Sequence, residues 1–471
     1  MIRVCAVVAV AGLCAACSLA PHYRRPAMAT PPAAYKELDG WKVAVPSDGE
    51  PKGRWWMVYG DAALDGLEAQ AADANQSLKA AFARLQQAHA QTDIARAAYL
   101  PSLDADANAT RTKASANSPN FFPGARNPVN DFSVGAALSY EIDLFGRVRN
   151  TVAGARAGEQ ASAGDLAALD LSLQAELAAD YFMLRGLDTQ QQLLDRTVAD
   201  FAKALELTEN LYQGGAAAVS DVQQAKAQLE TARTQAEDTR LHRAQTEHAI
   251  AVLVGRQPSG LHLEPRPLET DAAPPVIDPG LPSQLLERRP DVAAAERRVA
   301  SANAAIGVAR AAYFPTFSLA GALGLESTSA GNWMQAPSRF WSVGPRALLP
   351  LFDAGLRGAQ TAAARASYDE QVANYRASVL TAFQDVEDQL AALRQLERES
   401  VSEAAAVAAT QSAFDQATLR YRGGLVTYLE VVSAENAALA ARLSAVDIQT
   451  RRMAASVLLV KALGGDWRAT P

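Results

Sequence analysis

Apolar residues alternate with small or polar ones from position 132 to position 144, which is the period of a β-strand. The alternation is long enough to cross a membrane at a tilt. Similar patterns predict strands at 317–325 and 341–351, and a weaker strand from Pro101 to about Thr110. Pro345 lies inside the last of these strands along the chain, so that strand is expected at a sheet edge or a bulge. The apolar positions of the first pattern are Phe132, Val134, Ala136, Leu138, Tyr140, Ile142 and Leu144.

A period of three and four residues runs through long stretches that contain no proline. This spacing places apolar side chains on one face of a helix, and the abundance of Ala, Leu, Gln, Glu and Arg favours helix as well. Two helices of 66 residues are predicted, Arg147–Tyr212 and Leu356–Tyr421, each roughly 100 Å long. Shorter helices are predicted at about 67–99, 219–254, 291–313 and 427–463.

The two long helices belong to a tandem duplication. Tyr212-Gln-Gly-Gly and Tyr421-Arg-Gly-Gly lie 209 positions apart, and Phe132-Ser-Val-Gly recurs as Trp341-Ser-Val-Gly at the same offset. Each copy therefore contains one β-hairpin and a set of helices. Four strands leave two unpaired edges, which a bilayer does not tolerate, so several chains are expected to close one barrel. The number of strands in each chain alone permits a barrel built from two, three or four chains.

These patterns predict a mainly α-helical chain with a membrane β-barrel portion and an internal duplication. A proline-rich stretch joins the two copies and is expected to be an extended linker. The predicted segments are a signal peptide at 1–16, a lipid-anchored extended segment at 17–60, a first repeat at 61–257 with its hairpin at about 101–144, a linker at 258–290, a second repeat at 291–464 with its hairpin at about 315–352, and a C-terminal tail at 465–471.

The N-terminus has the features of a secretory signal. Arg3 precedes a short apolar run, and Ala15 and Ala16 precede Cys17. Cleavage before Cys17 would leave one cysteine in the exported chain, so no internal disulfide could form. The arrangement resembles a bacterial lipobox in which Cys17 carries the lipid, although Cys14 stands where that motif favours leucine. The alternative is an ordinary signal peptide with a chance cysteine.

Composition and motifs give no indication of other chemistry. The net charge of −7 does not favour nucleic-acid binding. The five histidines are scattered, and the chain has no phosphate-binding loop, nucleophile elbow or metalloprotease motif. We therefore expect no enzymatic activity, no cofactor and no metal site.

Short motifs run in a fixed order through the mature chain. They are Trp55-Trp56 with Asp61 and Leu64, Arg289-Pro290-Asp291-Val292, Ile306-Gly307 with Tyr313-Phe314-Pro315, Trp341-Ser342-Val343-Gly344 with Pro350-Leu351-Phe352-Asp353, and Tyr421-Arg422-Gly423-Gly424. Each motif alone is weak. In this order they resemble the outer-membrane factor family, the TolC- and OprM-like lipoproteins of tripartite efflux pumps.

The resemblance implies a homotrimer with a twelve-stranded barrel in the outer membrane and a long helical barrel in the periplasm. Solutes would pass through it unchanged, driven by an inner-membrane pump of the resistance-nodulation-division type. A periplasmic adaptor (membrane fusion protein) would grip the Gly-Gly tips. The adaptor contacts implied in this way are Tyr212, Gly214, Gly215, Tyr421, Gly423 and Gly424.

The resemblance also implies a gate beside the second Gly-Gly turn. The family closes its pore with a ring of apolar side chains and, one turn on, a ring of carboxylates. Leu429 matches the apolar position, whereas Ser433 and Asn436 stand where the family often has an acidic and a basic residue. Charge would then come from Glu430 or Glu435. The alternatives are that Leu429 is a core residue and that the glycines only end a helix with positive φ.

Three functions are compatible with the sequence. The first is an exit duct that passes drugs or other small solutes out of the cell. The second is a duct for type I protein secretion or heavy-metal export. The third is a lipid-anchored periplasmic coiled-coil scaffold without a pore. The alternating strand at 132–144 favours a pore, because a scaffold has no use for lipid-facing aromatic side chains.

Overall fold

The computed structural model describes residues 19–27, 36, 52–119, 122, 124, 126–268, 274–275, 277 and 289–465. The predicted signal peptide, Cys17 and most of the linker and tail lie outside these residues. The chain divides into two compact units. One comprises Met1–Ala27, Arg84–Ala163 and Ala294–Tyr375, and the other comprises Met28–Ala83, Gly164–Ala293 and Arg376–Pro471.

Long helices dominate the chain, as predicted. The two longest helices, Arg147–Gln213 and Leu356–Arg422, have 67 residues each, and both begin at the predicted residue and end one residue later than predicted. In the described part of the chain, no helix is both long enough and apolar enough to span a membrane. The helices are α1 (Ala62–Ala74), α2 (Gln76–Ala97), α3 (Arg147–Gln213), α4 (Val219–Leu253), α5 (Pro290–Ala311), α6 (Leu356–Arg422) and α7 (Tyr428–Ala462), and short 3-10 turns lie at Lys52–Tyr59, Pro258–Gly260 and Ala336–Ser338.

The predicted single helix at 67–99 is wrong, because Asn75 interrupts it. Asn75 has an extended backbone (φ −59°, ψ 124°) that ends α1. Its buried amide donates to the carbonyl oxygen of Leu253 at 2.7 Å and accepts from the backbone N–H of Leu78 at 3.0 Å. The side chain thus caps α2 and ties it to the end of α4. Gly255 lies beside this junction, where a Cβ atom would come within 2.5 Å of the Ala74 carbonyl oxygen.

The four strands form one antiparallel sheet in the order β1-β2-β3-β4. Their ranges are β1 (Ser102–Thr112), β2 (Val129–Ile142), β3 (Thr316–Ser327) and β4 (Arg339–Leu348). Pro345 lies in β4, which is an edge strand, as predicted. The prediction that β2 extends to Leu144 is wrong, because Asp143 turns away to cap α3. Its carboxylate accepts hydrogen bonds from the backbone N–H groups of Val148 and Arg149 at 3.1 and 2.8 Å.

The strand register gives the sheet two chemically different faces, because residues that are directly paired lie on the same face. One face, called here the apolar face, carries Leu103 of β1, Leu138 of β2, Leu323 of β3 and Trp341 of β4. The opposite, polar face carries all the acidic side chains of the strands, which are Asp104, Asp106, Asp131, Glu141 and Glu326. An apolar outer face and a wet inner face are the pattern of a membrane barrel.

The unit that contains α1 has its own hydrophobic core. Trp55 and Trp56 pack with α1, the middle of α3, the end of α4 and Val457 of α7. Glu68 lies on the buried face of α1 and is 1% exposed. Among the residues that the structure describes, neither of its carboxylate oxygens has a hydrogen-bond partner. Burial, with smaller contributions from Asp170 and Asp65, raises the pKa of Glu68 to about 9. Glu68 is therefore a neutral acid at pH 7.

We expect Glu68→Gln to change how stability depends on pH. The folded-state pKa lies above the ordinary value, so the stabilising contribution of the neutral acid is complete below about pH 4.5 and is lost as the pH rises toward about 9. A glutamine side chain at this position cannot ionise. Glu68→Gln should therefore unfold at the same temperature as wild type at pH 4.5 and at least about 3 °C higher at pH 8. Thermal unfolding of the purified trimer measures this, with the exposed Glu206→Gln as control; identical pH profiles for all three proteins would contradict it.

Candidate gate at the helix tips

Both long helices end in the same backbone motif. Gly215 and Gly424 have φ values of +73° and +72°, which favour glycine. Gly215 donates to the carbonyl oxygen of Tyr212 at 2.9 Å, and Gly424 donates to that of Tyr421 at 2.9 Å. The next residue in each turn bonds the carbonyl oxygen five positions before it. This is the Schellman arrangement, so the second glycine of each pair ends a helix.

The first glycine of each pair has no such backbone requirement. Gly214 and Gly423 lie outside the positive-φ region. A Cβ atom on either would have its nearest neighbour, a carbonyl oxygen of its own helix, at 3.5 Å, which is an ordinary contact. The interpretation of the second turn's glycines as helix-ending residues with positive φ is therefore confirmed for Gly424 and wrong for Gly423, and the first turn has the same conformations at Gly215 and Gly214.

The second tip contains an aromatic pair that the first tip lacks. The rings of Tyr421 and Tyr428 lie 5.6 Å apart, in a cluster with Val431 and Val432. Burial raises the pKa of Tyr428 to about 12, so its hydroxyl stays protonated. The first copy has Val219 where the second has Tyr428, and Tyr212 is 48% exposed. Tyr421 is therefore mainly a packing residue.

The acidic residue at the start of the following helix also differs between the tips. Arg420 donates to Glu430 at 2.9 Å, an ion pair that crosses the second turn. The corresponding residue of the first copy, Asp221, instead accepts a hydrogen bond from the backbone N–H of Ala218 at 3.3 Å and caps α4. The ion pair of Arg420 with Glu430 was not predicted from the sequence, although the two residues have opposite charges on the two sides of the turn.

Leu429 lies on the exposed side of α7. It is 61% exposed, whereas Val431 and Val432 are buried. Ser433 and Asn436 follow at four and seven positions, on the same face of the helix as Leu429, and Ser433 is also exposed. Leu429 is therefore not a core residue of its own chain.

Asn436 contributes to a contact between α4 and α7. Its amide donates to the side-chain oxygen of Gln228 at 3.0 Å. The two residues lie along a groove of about 380 Å³ lined also by Phe201, Thr231 and Leu439. The partner Gln228 was not predicted, and nothing in the local sequence pairs it with Asn436.

Glu435 is half-buried on α7. Burial, and to a smaller extent Asp200, raises its pKa to about 7, while Arg442 opposes the shift. The carboxyl is therefore partly protonated at neutral pH. Among the described residues, no group of His, Cys, Asp or Glu is arranged to hold a metal ion.

Comparison with known proteins places these features in a family. The family model described as outer membrane efflux protein matches residues 67–256 and 281–465, one match in each copy of the duplication. The chain is similar to the outer membrane protein OprJ of Pseudomonas aeruginosa, with 34% identity over 96% of this chain and 93% of OprJ. It is similar to the cation efflux system protein CusC of Escherichia coli, with 29% identity over 96% of each chain. The solved structure of the outer-membrane channel OprN matches with a TM-score of 0.88 and 30% identity, over 96% of this chain and all of that one.

These matches cover nearly the full length of this chain and of each matched protein, so they concern the entire architecture. They confirm an outer-membrane efflux channel of the tripartite kind, with a large periplasmic portion, that assembles as a trimer and closes a twelve-stranded barrel. The scaffold without a pore is thereby set aside. The chain belongs to the outer membrane efflux protein family.

Proposed function

We propose that this efflux channel narrows at its second tip, where the Leu429 side chains of three copies face the pore. The observation that carries the proposal is the exposure of Leu429 beside two buried valines. A large apolar side chain exposed at a helix tip is stabilised when three copies meet around an axis. A ring of such side chains closes a narrow pore by excluding water.

The charges near this ring are held by partners and do not form a free carboxylate ring. Ser433 provides no carboxylate at the level where the family often has one, and Glu430 is engaged by Arg420. Glu435 is half-buried and partly protonated at neutral pH. We infer that the Arg420–Glu430 pair holds the second turn against the start of α7, and that the Asn436–Gln228 contact holds α7 against α4. Opening of the gate would require the Arg420–Glu430 and Asn436–Gln228 contacts to break.

We propose that the adaptor contacts the two turns. Gly214 and Gly423 have no conformational need to be glycine, so the absence of a side chain there suits close approach by another protein. Tyr212 and Leu425 are exposed next to them, at 48% and 74%. Gly215 and Gly424 serve the same surface indirectly, since they fix the turn that presents it. Tyr421 contributes through its packing on Tyr428.

We propose that Cys17 carries a lipid that anchors the chain in the outer membrane. The residues that follow it lie along α5. The carbonyl oxygens of Leu19 and Pro21 accept from Arg310 at 3.4 Å and from Asn303 at 2.9 Å. Tyr23 donates to the carboxylate of Glu296, farther from β3 along the same helix. The segment nearest Cys17 is thus held at the end of α5 that leads into β3, which supports an anchor close to the barrel.

The cargo proposed is drugs or other small solutes delivered by a resistance-nodulation-division pump, and the chain itself has no catalytic role. The alternatives remain heavy-metal export, which the name of CusC as a cation efflux protein supports, and type I protein secretion. Expression of the chain with each class of pump and adaptor, followed by assays of drug, metal and protein export, distinguishes the three.

Leu429→Ala should widen the constriction. Removal of three leucine side chains from one level of the pore should raise the single-channel conductance of the trimer in a planar bilayer several-fold. Leu425→Ala removes another exposed leucine, this one from the turn, and should leave the conductance unchanged. Equal conductance of Leu429→Ala and wild type would refute the gate at this residue.

Arg420→Gln and Glu430→Gln should each increase the time that the channel spends open. An exposed ion pair is worth about 0.2–1 kcal/mol, and three copies act together, so a several-fold rise in open probability is expected at low salt. High salt should weaken the effect by screening the pair in the wild type. The double variant Arg420→Glu/Glu430→Arg should restore closure. If the exchanged pair stays as open as the single variants, the ion pair does not hold the gate.

Gly423→Val should impair efflux without unfolding the tip. The added Cβ atom meets only ordinary contacts within the chain, and the side chain would project from the turn toward an adaptor. Drug efflux should fall at least tenfold in cells that depend on this channel, while trimer stability and conductance stay as in wild type. The matched variant Gly424→Val adds the same side chain at φ +72° and should also lower tip stability, by about 1 kcal/mol or more. Unimpaired efflux with Gly423→Val would exclude close contact at this glycine.

A further inference from the structure

The basic residues at the two ends of the sheet differ in how they are paired with carboxylates. At the end joined to the helices, three of the four arginines have a carboxylate partner that the structure describes, and Arg346 is the fourth. Arg147 donates to Glu141 at 2.8 Å, Arg149 donates to Asp143 at 3.2 Å, and Arg357 pairs with Asp353 at 2.5 Å. Since the helices are periplasmic, this is the inner end of the barrel.

The hairpin ends of the sheet face outward, and there the charge is unbalanced. Between residues 111 and 130, and between residues 327 and 339, the sequence contains four basic residues and no acidic one. All four are exposed, and within the part of the chain that the structure describes none forms an ion pair. These residues, called here the outer basic rim, are Arg111, Lys113, Arg126 and Arg339.

The loop of the first hairpin holds two of these cations together. Asn127 donates to the carbonyl oxygen of Ala114 at 2.8 Å and accepts from the N–H of Ala114 at 2.9 Å. Ala114 follows Lys113 and Asn127 follows Arg126. This two-bond clamp joins the two sides of the loop at the residues that follow Lys113 and Arg126, so both cations belong to one hairpin end.

The other two cations lie on the apolar face of the sheet. Arg111 pairs with Asn130, and Arg339 pairs with Leu325, so both share the face of Leu103 and Trp341. The nearest strand carboxylates, Asp131 and Glu326, are on the polar face. In the membrane the apolar face contacts lipid. We therefore expect the two arginines to reach the zone of lipid headgroups, where no residue that the structure describes forms an ion pair with them.

Closure of the barrel brings these two arginines onto neighbouring strands. β1 and β4 are the edges of the four-stranded sheet, so β4 of one copy pairs with β1 of the next. Paired strands lie about 4.8 Å apart. Arg339 of one copy and Arg111 of the next then lie on adjacent strands, on the same face and at the same outward end. The trimer contains three such seams.

We propose that each seam binds a phosphate-bearing lipid of the outer leaflet, with Arg339 of one copy and Arg111 of the next as phosphate ligands and Lys113 and Arg126 as supporting cations. The guanidinium fork matches two phosphate oxygens at once. The exposed ring of Trp341 lies two residues inward from Arg339, where it contacts the upper part of the acyl chains. The ligand class is a phosphorylated glycolipid such as lipopolysaccharide. The proposed lipid site depends on closure of the barrel and is independent of the proposed gate.

The test measures lipid that remains bound to the trimer. Wild type, Arg111→Gln, Arg339→Gln and the double variant are purified from outer membranes in mild detergent, and phosphorylated lipid per trimer is counted by native mass spectrometry. Each arginine should contribute roughly fivefold, so the double variant should lose most of the bound lipid. Arg346→Gln is the matched control, since Arg346 lies on the polar face of the same strand. It should retain the wild-type amount.

A second arm uses wild-type trimer in nanodiscs with lipid A that carries two phosphates or none. Binding should require the phosphates, and 10 mM inorganic phosphate alone should not displace the lipid. Equal binding of both forms of lipid A, or full lipid retention by the double variant, would overturn the proposal. Displacement by inorganic phosphate would also overturn it, because the site would then bind a free anion. Conductance of the double variant should equal that of wild type, which separates this result from any failure of the gate.

Discussion

Inside a bilayer an unpaired strand edge leaves backbone N–H and C=O groups without water or any other partner. The sheet of this chain has two such edges, β1 and β4. Pairing of β4 in one copy with β1 in the next satisfies both edges and closes twelve strands. This requirement explains why several copies must assemble, and the trimeric family sets their number at three. Closure then places Leu103, Leu138 and Leu323 toward lipid and the carboxylates of the strands toward the interior. The same closure creates the seams at which the outer arginines meet.

The duplication then provides two helix tips with one backbone and different side-chain chemistry. Gly215 and Gly424 end their helices in the same way. Around that shared turn, the first copy uses its acidic residue Asp221 to cap a helix, whereas the second engages Glu430 with Arg420. An exposed leucine follows only in the second copy, because Ser220 occupies the corresponding position in the first. The two tips therefore share one backbone geometry and differ in their side chains, and the proposed gate uses the side chains of the second tip.

Much of the fold could be predicted from the sequence, because its signals are local and repeated. Absence of proline and the three-four spacing located α3 and α6 to within one residue, and Pro345 identified an edge strand. The break at Asn75 could not be predicted, because its partner, the Leu253 carbonyl, lies 178 positions away. At the tip, the family resemblance pointed to Leu429, and its role as the gate stays a prediction. The pairing of Arg420 with Glu430 and of Asn436 with Gln228 depends on how helices cross, which a linear pattern does not contain.

Disulfide cross-linking between β4 of one copy and β1 of the next tests directly whether these two edges pair to close the barrel. Val343→Cys on β4 is combined in turn with Ala105→Cys, Ala107→Cys and Ala109→Cys on β1, which all lie on the apolar face. Oxidation in intact outer membranes should join separate copies for at least one pair, and the ladder on a non-reducing gel should end at a trimer. Each single variant should remain uncross-linked. Absence of cross-links for all three pairs, or a ladder that ends at another number, would contradict closure of β4 on β1 in a trimer.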